Sequence, residues 1–196
     1  MKILISPAKK LDFSYQKTFI KDSVLKFSEE SKCIMRELSA YSDLDLSKLM
    51  KISSSLATLN KQRNDNWKFP FPKKESKQAL LSFKGEVYEN MRIESFNKSD
   101  FEFANKKIRI LSGLYGMLKP SDVILPYRLE MGTKLKIAGK NNLYDFWKES
   151  ITSYLLNETK NDTFLVNLAS DEYFKVIDKK QIPIPVVTPI FKDFKN

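Results

Sequence analysis

The chain has 196 residues, of which 42% are hydrophobic, a composition typical of a globular domain rather than a disordered segment. It contains no histidine and a single cysteine, Cys33, which excludes Ser-His-Asp and Cys-His catalytic groups, Cys/His metal sites and an internal disulfide. The 34 Lys+Arg against 24 Asp+Glu give a net charge of +10, which favours polyanionic partners through counterion release.

The first half of the chain is predicted to form one strand followed by helices. Residues 2–6 are a short apolar run closed by Pro7, which indicates a buried strand. Ser23 is predicted to cap one helix and Ser47 a second. The segment 67–72 carries aromatic residues between prolines, so it is predicted to be a loop. The predicted apolar helix faces are Val24, Phe27, Ser31, Ile34, Met35 and Leu38, then Leu49, Ile52, Leu56 and Leu59.

The second half alternates predicted helices and strands around an irregular stretch from residue 112 to 132. The predicted elements are helices at 79–83, 99–107 (capped by Ser99) and 143–158, and strands at 108–111, 163–168 and 184–187. No linker or repeat divides the chain. We therefore expect a mixed α/β (α+β) fold, one domain spanning residues 1–196, with a mostly β core surrounded by helices.

Two features that the sequence lacks bear on where the protein acts in the cell. The sequence holds no apolar run of 18 residues and no secretory signal, so we expect a cytoplasmic protein without a membrane span. The oligomeric state is left open, with a monomer as the default expectation.

Positive charge is concentrated between residues 106 and 140. Eight lysines and arginines stand there against two carboxylates, Asp122 and Glu130, a net +6. A cationic window of this kind is the electrostatic footprint of a nucleic-acid-binding surface, although a lysine-rich surface that serves only solubility is the alternative.

Inside this window, Gly113 and Gly116 form a Gly-x-x-Gly turn. Without side chains to obstruct them, the backbone amides of such a turn can hold a phosphate oxygen. We predict that the turn contacts a phosphate together with Ser112, Tyr115 and Lys119. The alternative is an ordinary tight turn after a strand.

The segment 125–132 is the second candidate. Arg128 and Glu130 alternate in an extended segment, so they share a face and can pair with each other. Alternatively, the guanidinium of Arg128 binds a phosphate, with Tyr127 beside it as a stacking surface. Lys134 follows in the same cationic window and is counted among the predicted DNA contacts.

Carboxylates at the end of the predicted strand 163–168 are the third candidate. Asp171 and Glu172 begin a short helix there, at the edge of the sheet where ligands gather in α/β proteins. With Glu130 they are the candidate acid–base residues. The alternative is that Ser170 caps the helix and the two carboxylates merely suit its dipole.

Lys9 and Lys84 are the last two residues predicted to contact DNA. Lys9 follows the first predicted strand, as does Ser6, and both can lie at the same edge as Asp171. Lys84 precedes Gly85 and an aromatic residue, Tyr88. Lys9 and Lys84 are predicted DNA contacts, although a lysine after a strand is usually only solvated.

Five collinear segments resemble the YaaA family (UPF0246, also DUF328). They are Ile5-Ser-Pro-Ala-Lys9 with Leu11 and Phe13; Phe83-Lys-Gly-Glu-Val-Tyr88; Leu111 to Pro120 with Pro126-Tyr-Arg-Leu-Glu-Met-Gly132; Leu143-Tyr-Asp-Phe-Trp147; and Val166 to Phe174. They span nearly the whole chain. Family chains continue beyond the point where this one stops, with a basic Lys-Lys-Ala-Arg-Gly block, so we expect the chain to be shortened at its C-terminus.

The resemblance implies a cytoplasmic protein that protects against hydrogen peroxide by limiting intracellular iron and oxidative damage to DNA. It implies a cantaloupe-like fold with a helix-hairpin-helix element, mapped here onto the Gly113–Gly116 turn, and a positively charged cleft that binds DNA, including non-duplex forms.

The leading hypothesis is sequence-independent binding of duplex or branched DNA, with no cofactor and no metal. The alternative is an enzyme that removes a damaged base, using Glu130, Asp171 or Glu172. A third hypothesis, iron handling, would have to rely on oxygen ligands because the chain lacks histidine.

Overall fold

A computed structural model of the chain describes residues 1–14 and 18–190. The strands are Lys2–Ile5 (β1), Lys10–Leu11 (β2), Lys77–Gln78 (β3), Phe83–Lys84 (β4), Ile108–Ser112 (β5), Gly116–Leu118 (β6), Val123–Ile124 (β7), Leu165–Asn167 (β8) and Val186–Val187 (β9). The α-helices are Ser28–Ala40 (α1), Asp43–Met50 (α2), Ser54–Asn66 (α3), Ala79–Ser82 (α4), Glu86–Asn90 (α5), Lys98–Lys107 (α6), Leu143–Glu158 (α7) and Asp171–Phe174 (α8).

The central sheet has five strands in the order β6-β5-β1-β8-β9. β1 pairs in parallel with β5 and β8, β9 is parallel to β8, and β6 returns antiparallel to β5. Since β1, β5 and β8 run in the same direction, they end together at Ile5, Ser112 and Asn167. We call this the carboxyl end of the sheet, and the opposite side, where these strands begin, the amino end.

Helices pack their apolar faces on this sheet. The long helix α7 begins after Asn142, whose side chain accepts a hydrogen bond from the Asp145 amide, and it buries Trp147, Ile151 and Leu155 completely. The predicted helix 143–158 is confirmed with these bounds. The strands predicted at 2–6 and 108–111 are confirmed as β1 and β5, each with its last residue shifted by one. The predicted mixed α/β class, with a central sheet surrounded by helices, is confirmed.

The predicted helix starts near the N-terminus are wrong. α1 begins at Ser28 rather than after Ser23, because the Ser23 hydroxyl bonds to Asp122 and Ser121 instead of capping a helix. Val24, assigned to the apolar face, is 78% exposed. Similarly, α6 is capped by the side chain of Asn97 and not by Ser99.

The single helix predicted after Ser47 is two helices. Ser42 caps α2 in a reciprocal arrangement with Asp45, and Ser53 caps α3. Lys51 adopts the left-handed conformation (φ 52°) that ends α2, so the two helices are joined by a three-residue turn. Leu56 and Leu59, predicted to be buried, are instead exposed on α3.

Within the described ranges, no helix combines the length and the apolar character that a transmembrane segment requires.

Candidate functional site

Three chain segments meet at the carboxyl end of the sheet. Pro7, Ala8 and Lys9 follow β1, residues 127–130 cross beside them, and Tyr173 comes from α8 after β8. Together they line a small cavity of about 70 Å³. The parallel arrangement of β1 and β8 is what brings these distant segments to one place, as the sequence predicted for the residues that follow each strand.

Opposite charges meet in this cavity. The Lys9 Nζ lies 3.1 Å from Oε1 of Glu130, and the Arg128 Nη2 lies 3.4 Å from the same oxygen. The Lys9 side chain is 66% exposed, whereas that of Arg128 is 19% exposed. Lys9 therefore stands at the rim of the cavity and Arg128 forms part of its wall. The predicted pairing of Arg128 with Glu130 is present.

Arg128 also carries an unsatisfied donor. Its Nε is buried and has no hydrogen-bond partner among the residues that the structure describes. A buried donor left unpaired costs about 1–3 kcal/mol. The guanidinium of Arg128 lines the cavity with 19% of its side chain exposed, which makes Arg128 the residue of the site best suited to hold an anion.

Three buried tyrosines lie at or near the cavity: Tyr127 and Tyr173 line it, and Tyr88 bonds to the chain just before Pro7. The Tyr127 hydroxyl is hydrogen-bonded to Ser112 Oγ (2.7 Å), and the Tyr88 hydroxyl donates to the Ser6 carbonyl (2.8 Å). Burial raises the pKa of Tyr88, Tyr127 and Tyr173, so all three stay neutral at physiological pH. Tyr127 packs edge-on against Tyr115 and is buried, so the prediction that its ring offers a stacking surface is wrong.

Two serines tie the end of β1 to α8. Ser6 Oγ accepts a hydrogen bond from the Ser170 amide (2.9 Å) and donates to Ser170 Oγ (3.2 Å). Ser170 occupies the cap position of α8, but its side chain makes no hydrogen bond to the helix backbone. Both hydroxyls therefore hold the site together.

Of the three candidate carboxylates, one lines the cavity. This is Glu130. The Glu172 carboxylate accepts a hydrogen bond from the Gly132 amide (2.8 Å) and thereby fixes the loop after Glu130. Asp171 is exposed in the first turn of α8. Within the described part of the chain, no group of three or more His, Cys, Asp or Glu residues is placed to hold a metal ion.

The Gly113–Gly116 turn is part of the core. It connects β5 to the antiparallel β6, so the mapping of a helix-hairpin-helix element onto it is wrong. A Cβ on Gly113 would lie 2.4 Å from the Leu129 carbonyl oxygen, and one on Gly116 (φ 70°) would lie 2.8 Å from the Trp147 ring. These glycines are required by close packing.

The predicted phosphate contacts in this turn are wrong for the same reason. Ser112, Gly113, Tyr115 and Gly116 are all buried. The Tyr115 hydroxyl accepts hydrogen bonds from the Trp67 indole and the Leu125 amide, and it donates to the Leu125 carbonyl. Tyr115 thus holds the segment leading to Arg128 against the loop that follows α3.

The other lysines predicted to contact DNA lie away from the cavity at the carboxyl end of the sheet. Lys119 stands at the amino end of the sheet, 3.9 Å from Glu158. Lys84 faces Asp12 at 3.5 Å and lines a separate cavity of about 410 Å³ with Tyr88. Lys134 is exposed. The expectation that the cations flanking the glycine turn form one surface is therefore wrong for Lys119.

Arg63 lines a separate groove that the sequence did not reveal. It lies near the end of α3, and with Leu125 and Pro126 it lines a groove of about 390 Å³. Burial, and to a smaller degree the positive charge of Arg128, lower the pKa of Arg63. The one local signal was an arginine just before the aromatic loop 67–72.

Comparison with known proteins gives similarity over the whole chain. A family model described as "Peroxide stress protein YaaA" matches residues 1–196. A UPF0246 protein of Flavobacterium psychrophilum is 47% identical over 198 residues, covering 100% of this chain and 78% of the relative. UPF0246 proteins of Colwellia psychrerythraea and Clostridium botulinum are each 46% identical, over 100% of this chain and 77% of the relative.

Proposed function

Because the chain belongs to the family of the peroxide stress protein YaaA, we propose that it is a DNA-binding protein. Its contact surface is the open site at the carboxyl end of the sheet, where Lys9 and Arg128 meet. The contacts are made to the sugar–phosphate backbone of duplex or branched DNA and are independent of sequence.

One observation carries this proposal. The guanidinium of Arg128 lines a cavity beside an exposed lysine at its rim, and its buried Nε has no hydrogen-bond partner in residues 1–14 and 18–190. A planar guanidinium matches the oxygens of a phosphate, and a flexible lysine at the rim adds charge without demanding one geometry. Before a ligand arrives, both cations pair with Glu130.

The overall charge supports the same partner. A net charge of +10 attracts a polyanion over a longer range than any single pair and speeds the encounter. Phosphate contacts position a protein on DNA without reading bases, which agrees with a site built from lysine and arginine.

The proposal is tested by the salt dependence of binding. Affinity for a short duplex and for a branched DNA is measured between about 50 and 200 mM salt, where the logarithm of affinity should fall linearly with the logarithm of salt concentration. The double variant Lys9→Ala/Arg128→Ala should bind more weakly and reduce the slope by about 2, one unit for each lost contact.

The matched control removes the same two charges elsewhere. Arg36 on α1 and Lys48 on α2 are exposed, so Arg36→Ala/Lys48→Ala should leave the slope close to that of the original protein. A salt-independent affinity, or equal slopes for the two double variants, would contradict the proposal.

The enzymatic alternative is less well supported by the geometry. Glu130 is the candidate carboxylate that lines the cavity, but a volume of about 70 Å³ corresponds to roughly two water molecules. An enzyme acting on a base needs a pocket that encloses the whole base. Base release from damaged oligonucleotides that is lost in Glu130→Gln would favour the alternative.

In the cell, we expect the protein to act in the cytoplasm, protecting DNA from peroxide and limiting intracellular iron. A strain lacking the gene should regain peroxide survival with the original protein and not with Arg128→Ala.

A further inference from the structure

An amine, a carboxylate and a guanidinium meet at the mouth of the cavity at the carboxyl end of the sheet. The Lys9 Nζ and the Arg128 Nη2 both approach Oε1 of Glu130, at 3.1 Å and 3.4 Å. The side chains of Lys9 and Glu130 are 66% and 29% exposed, so a bound molecule can reach both groups. The cavity therefore combines a group that can attack a carbonyl, a group that can accept a proton and a group that can hold an anion.

Hydrogen bonds hold the backbone on both sides of this cluster. Three residues before Lys9, the Ser6 carbonyl accepts a hydrogen bond from the buried Tyr88 hydroxyl (2.8 Å). Across the cavity, the Glu130 carbonyl accepts a hydrogen bond from the Thr133 amide (3.1 Å), which closes a tight turn. The backbone positions of Lys9 and Glu130 are therefore fixed, while the long lysine side chain can still move toward a ligand.

The size of the cavity limits which part of a DNA strand can enter it. A volume of about 70 Å³, enough for roughly two water molecules, excludes a nucleobase. A nucleotide that has lost its base leaves an abasic deoxyribose, whose ring opens to expose an aldehyde at C1′. Aldehydes react with a lysine amine to form an imine. An abasic position therefore brings a small electrophile to Lys9 in place of the base that the cavity cannot hold.

We propose that the site cleaves DNA at abasic positions, with Lys9 as the nucleophile, Glu130 as the base and Arg128 as the group that holds the departing phosphate. The inference rests on the proposed function, because it assigns one DNA lesion and one reaction to the same surface. The reaction needs no metal and no cofactor, and it uses acid–base groups that a chain without histidine retains.

The reaction begins at C1′ of the opened sugar. The unprotonated amine of Lys9 attacks the aldehyde carbon, and loss of one water molecule gives a protonated imine between Nζ and C1′. The positive charge of this imine makes the hydrogens on C2′ acidic. The Glu130 carboxylate, which lies beside Nζ, takes one of them as a proton.

Elimination then breaks the strand. The electron pair of the C2′–H bond forms a double bond between C2′ and C3′, and the C3′–O bond breaks with its electrons leaving on the phosphate oxygen. The Arg128 guanidinium binds that phosphate and stabilises the charge that it gains. Water hydrolyses the conjugated imine, which releases an unsaturated aldehyde on one strand end and restores the Lys9 amine, so that no electrons are gained or lost overall.

The test uses a labelled duplex with one abasic position, incubated with the protein and sodium borohydride. Borohydride reduces the imine to a stable amine, so the original protein should form a covalent protein–DNA adduct on a denaturing gel. Lys9→Arg keeps the positive charge and should keep affinity for the abasic duplex within about threefold, but it should lower the adduct yield at least about tenfold. Lys148→Arg makes the same change at an exposed lysine 3.3 Å from Asp178 and should leave the yield unchanged.

Glu130→Gln separates the two steps of the reaction. The adduct should persist, because the imine forms at Lys9, whereas strand cleavage without borohydride should slow about 100-fold, the lower end of the contribution of a general base. Equal loss of adduct and of cleavage would overturn the role of Glu130 as the base. Thermal unfolding of each variant establishes that it is folded.

The possible failures are distinct. An abasic duplex that the original protein binds but neither traps nor cleaves would overturn the cleavage inference and leave the proposed DNA binding intact. Absence of binding to intact and abasic DNA alike would overturn the proposed function itself. An undiminished adduct yield in Lys9→Arg would overturn the assignment to Lys9, because another amine, such as that of Met1 beside Asp162 at the amino end of the sheet, would then be the nucleophile.

Discussion

The two ends of the central sheet both place an arginine next to a glutamate, but the two pairs differ in how completely they are satisfied. At the amino end, Arg109 is 4% exposed and donates to the Glu158 carboxylate and to the carbonyls of Asn105 and Ile108. At the carboxyl end, among the residues that the structure describes, the Arg128 side chain makes one hydrogen bond, of 3.4 Å to Glu130, and its buried Nε has no partner.

This difference separates a structural arginine from one available to a ligand. The guanidinium of Arg109 donates its hydrogen bonds to groups inside the protein, whereas, within the described part of the chain, the guanidinium of Arg128 keeps donors free beside the cavity. Both lie in the cationic window between residues 106 and 140, so the density of charge along the sequence did not distinguish them. Four predictions test the contrast.

The largest effect is expected from Arg109→Ala. Removing Arg109 leaves the Glu158 carboxylate with Lys119, at 3.9 Å, as a weaker partner, and losing one partner of a fully buried pair costs about 3–5 kcal/mol. Because the Glu158 side chain keeps 18% of its surface exposed, we expect about 3 kcal/mol, measured as the free energy of unfolding in urea. Arg128→Ala should change it by less than about 1 kcal/mol. Similar losses in both variants would contradict the contrast.

The opposite ranking is expected for binding. Arg128→Ala should weaken DNA affinity about 10- to 100-fold, the value of a charge-assisted contact to phosphate. Arg109→Ala, measured on the folded fraction by fluorescence anisotropy, should stay within about twofold of the original protein. If Arg109→Ala weakened binding as strongly as Arg128→Ala, the two ends would not have separate roles.

The third prediction concerns pH. Burial alone would raise the pKa of Glu158, but the hydrogen bond and charge of Arg109 outweigh it and hold the pKa below its usual range. A carboxyl group with a lowered pKa stabilises the folded state above about pH 4.5, and this stabilisation is lost as the pH falls below that value.

Denaturant unfolding of the original protein and of Glu158→Gln checks this sign. The stability difference between them should be larger near pH 7 than near pH 3, by an amount on the order of 1 kcal/mol. A difference that grows toward acid would mean that burial, and not Arg109, controls Glu158.

The smallest effect is expected from Glu130→Gln. Removing the carboxylate frees Lys9 and Arg128 from an internal competitor, so DNA affinity should rise about two- to fivefold, the range of a partly exposed ion pair. Glu149→Gln, at an exposed position on α7, makes the same charge change and should have a smaller effect. Weaker binding by Glu130→Gln would show that Glu130 positions the cations more than it competes for them.

Local patterns predicted the elements whose boundaries are set by their own residues. The helix 143–158 was predictable because Asn142 caps it and its apolar spacing is regular. The helix starts near the N-terminus were not, because several serines are possible caps and tertiary contacts choose among them. Ser23 is held by Asp122, which is 99 residues away in the chain.

The site was predictable in part. Parallel strands ending at one edge explain why Lys9, Arg128 and Glu130 meet. The glycine turn was misassigned because a Gly-x-x-Gly pattern is the same whether it faces a ligand or a tryptophan, and here Gly116 faces Trp147. Arg63 gave only a weak local signal, because its place beside Leu125 and Pro126 depends on how α3 packs.

The tryptophans of the protein offer a fluorescence signal for the site. Of its two tryptophans, Trp147 is fully buried in the core, while Trp67 is half-buried at the end of α3 and hydrogen-bonded to Tyr115. Because Tyr115 in turn bonds to Leu125, the fluorescence of Trp67 should respond to changes in the segment that carries Arg128. Intrinsic emission can therefore follow occupancy of the site without any attached dye, with Trp67→Phe as the silent reference.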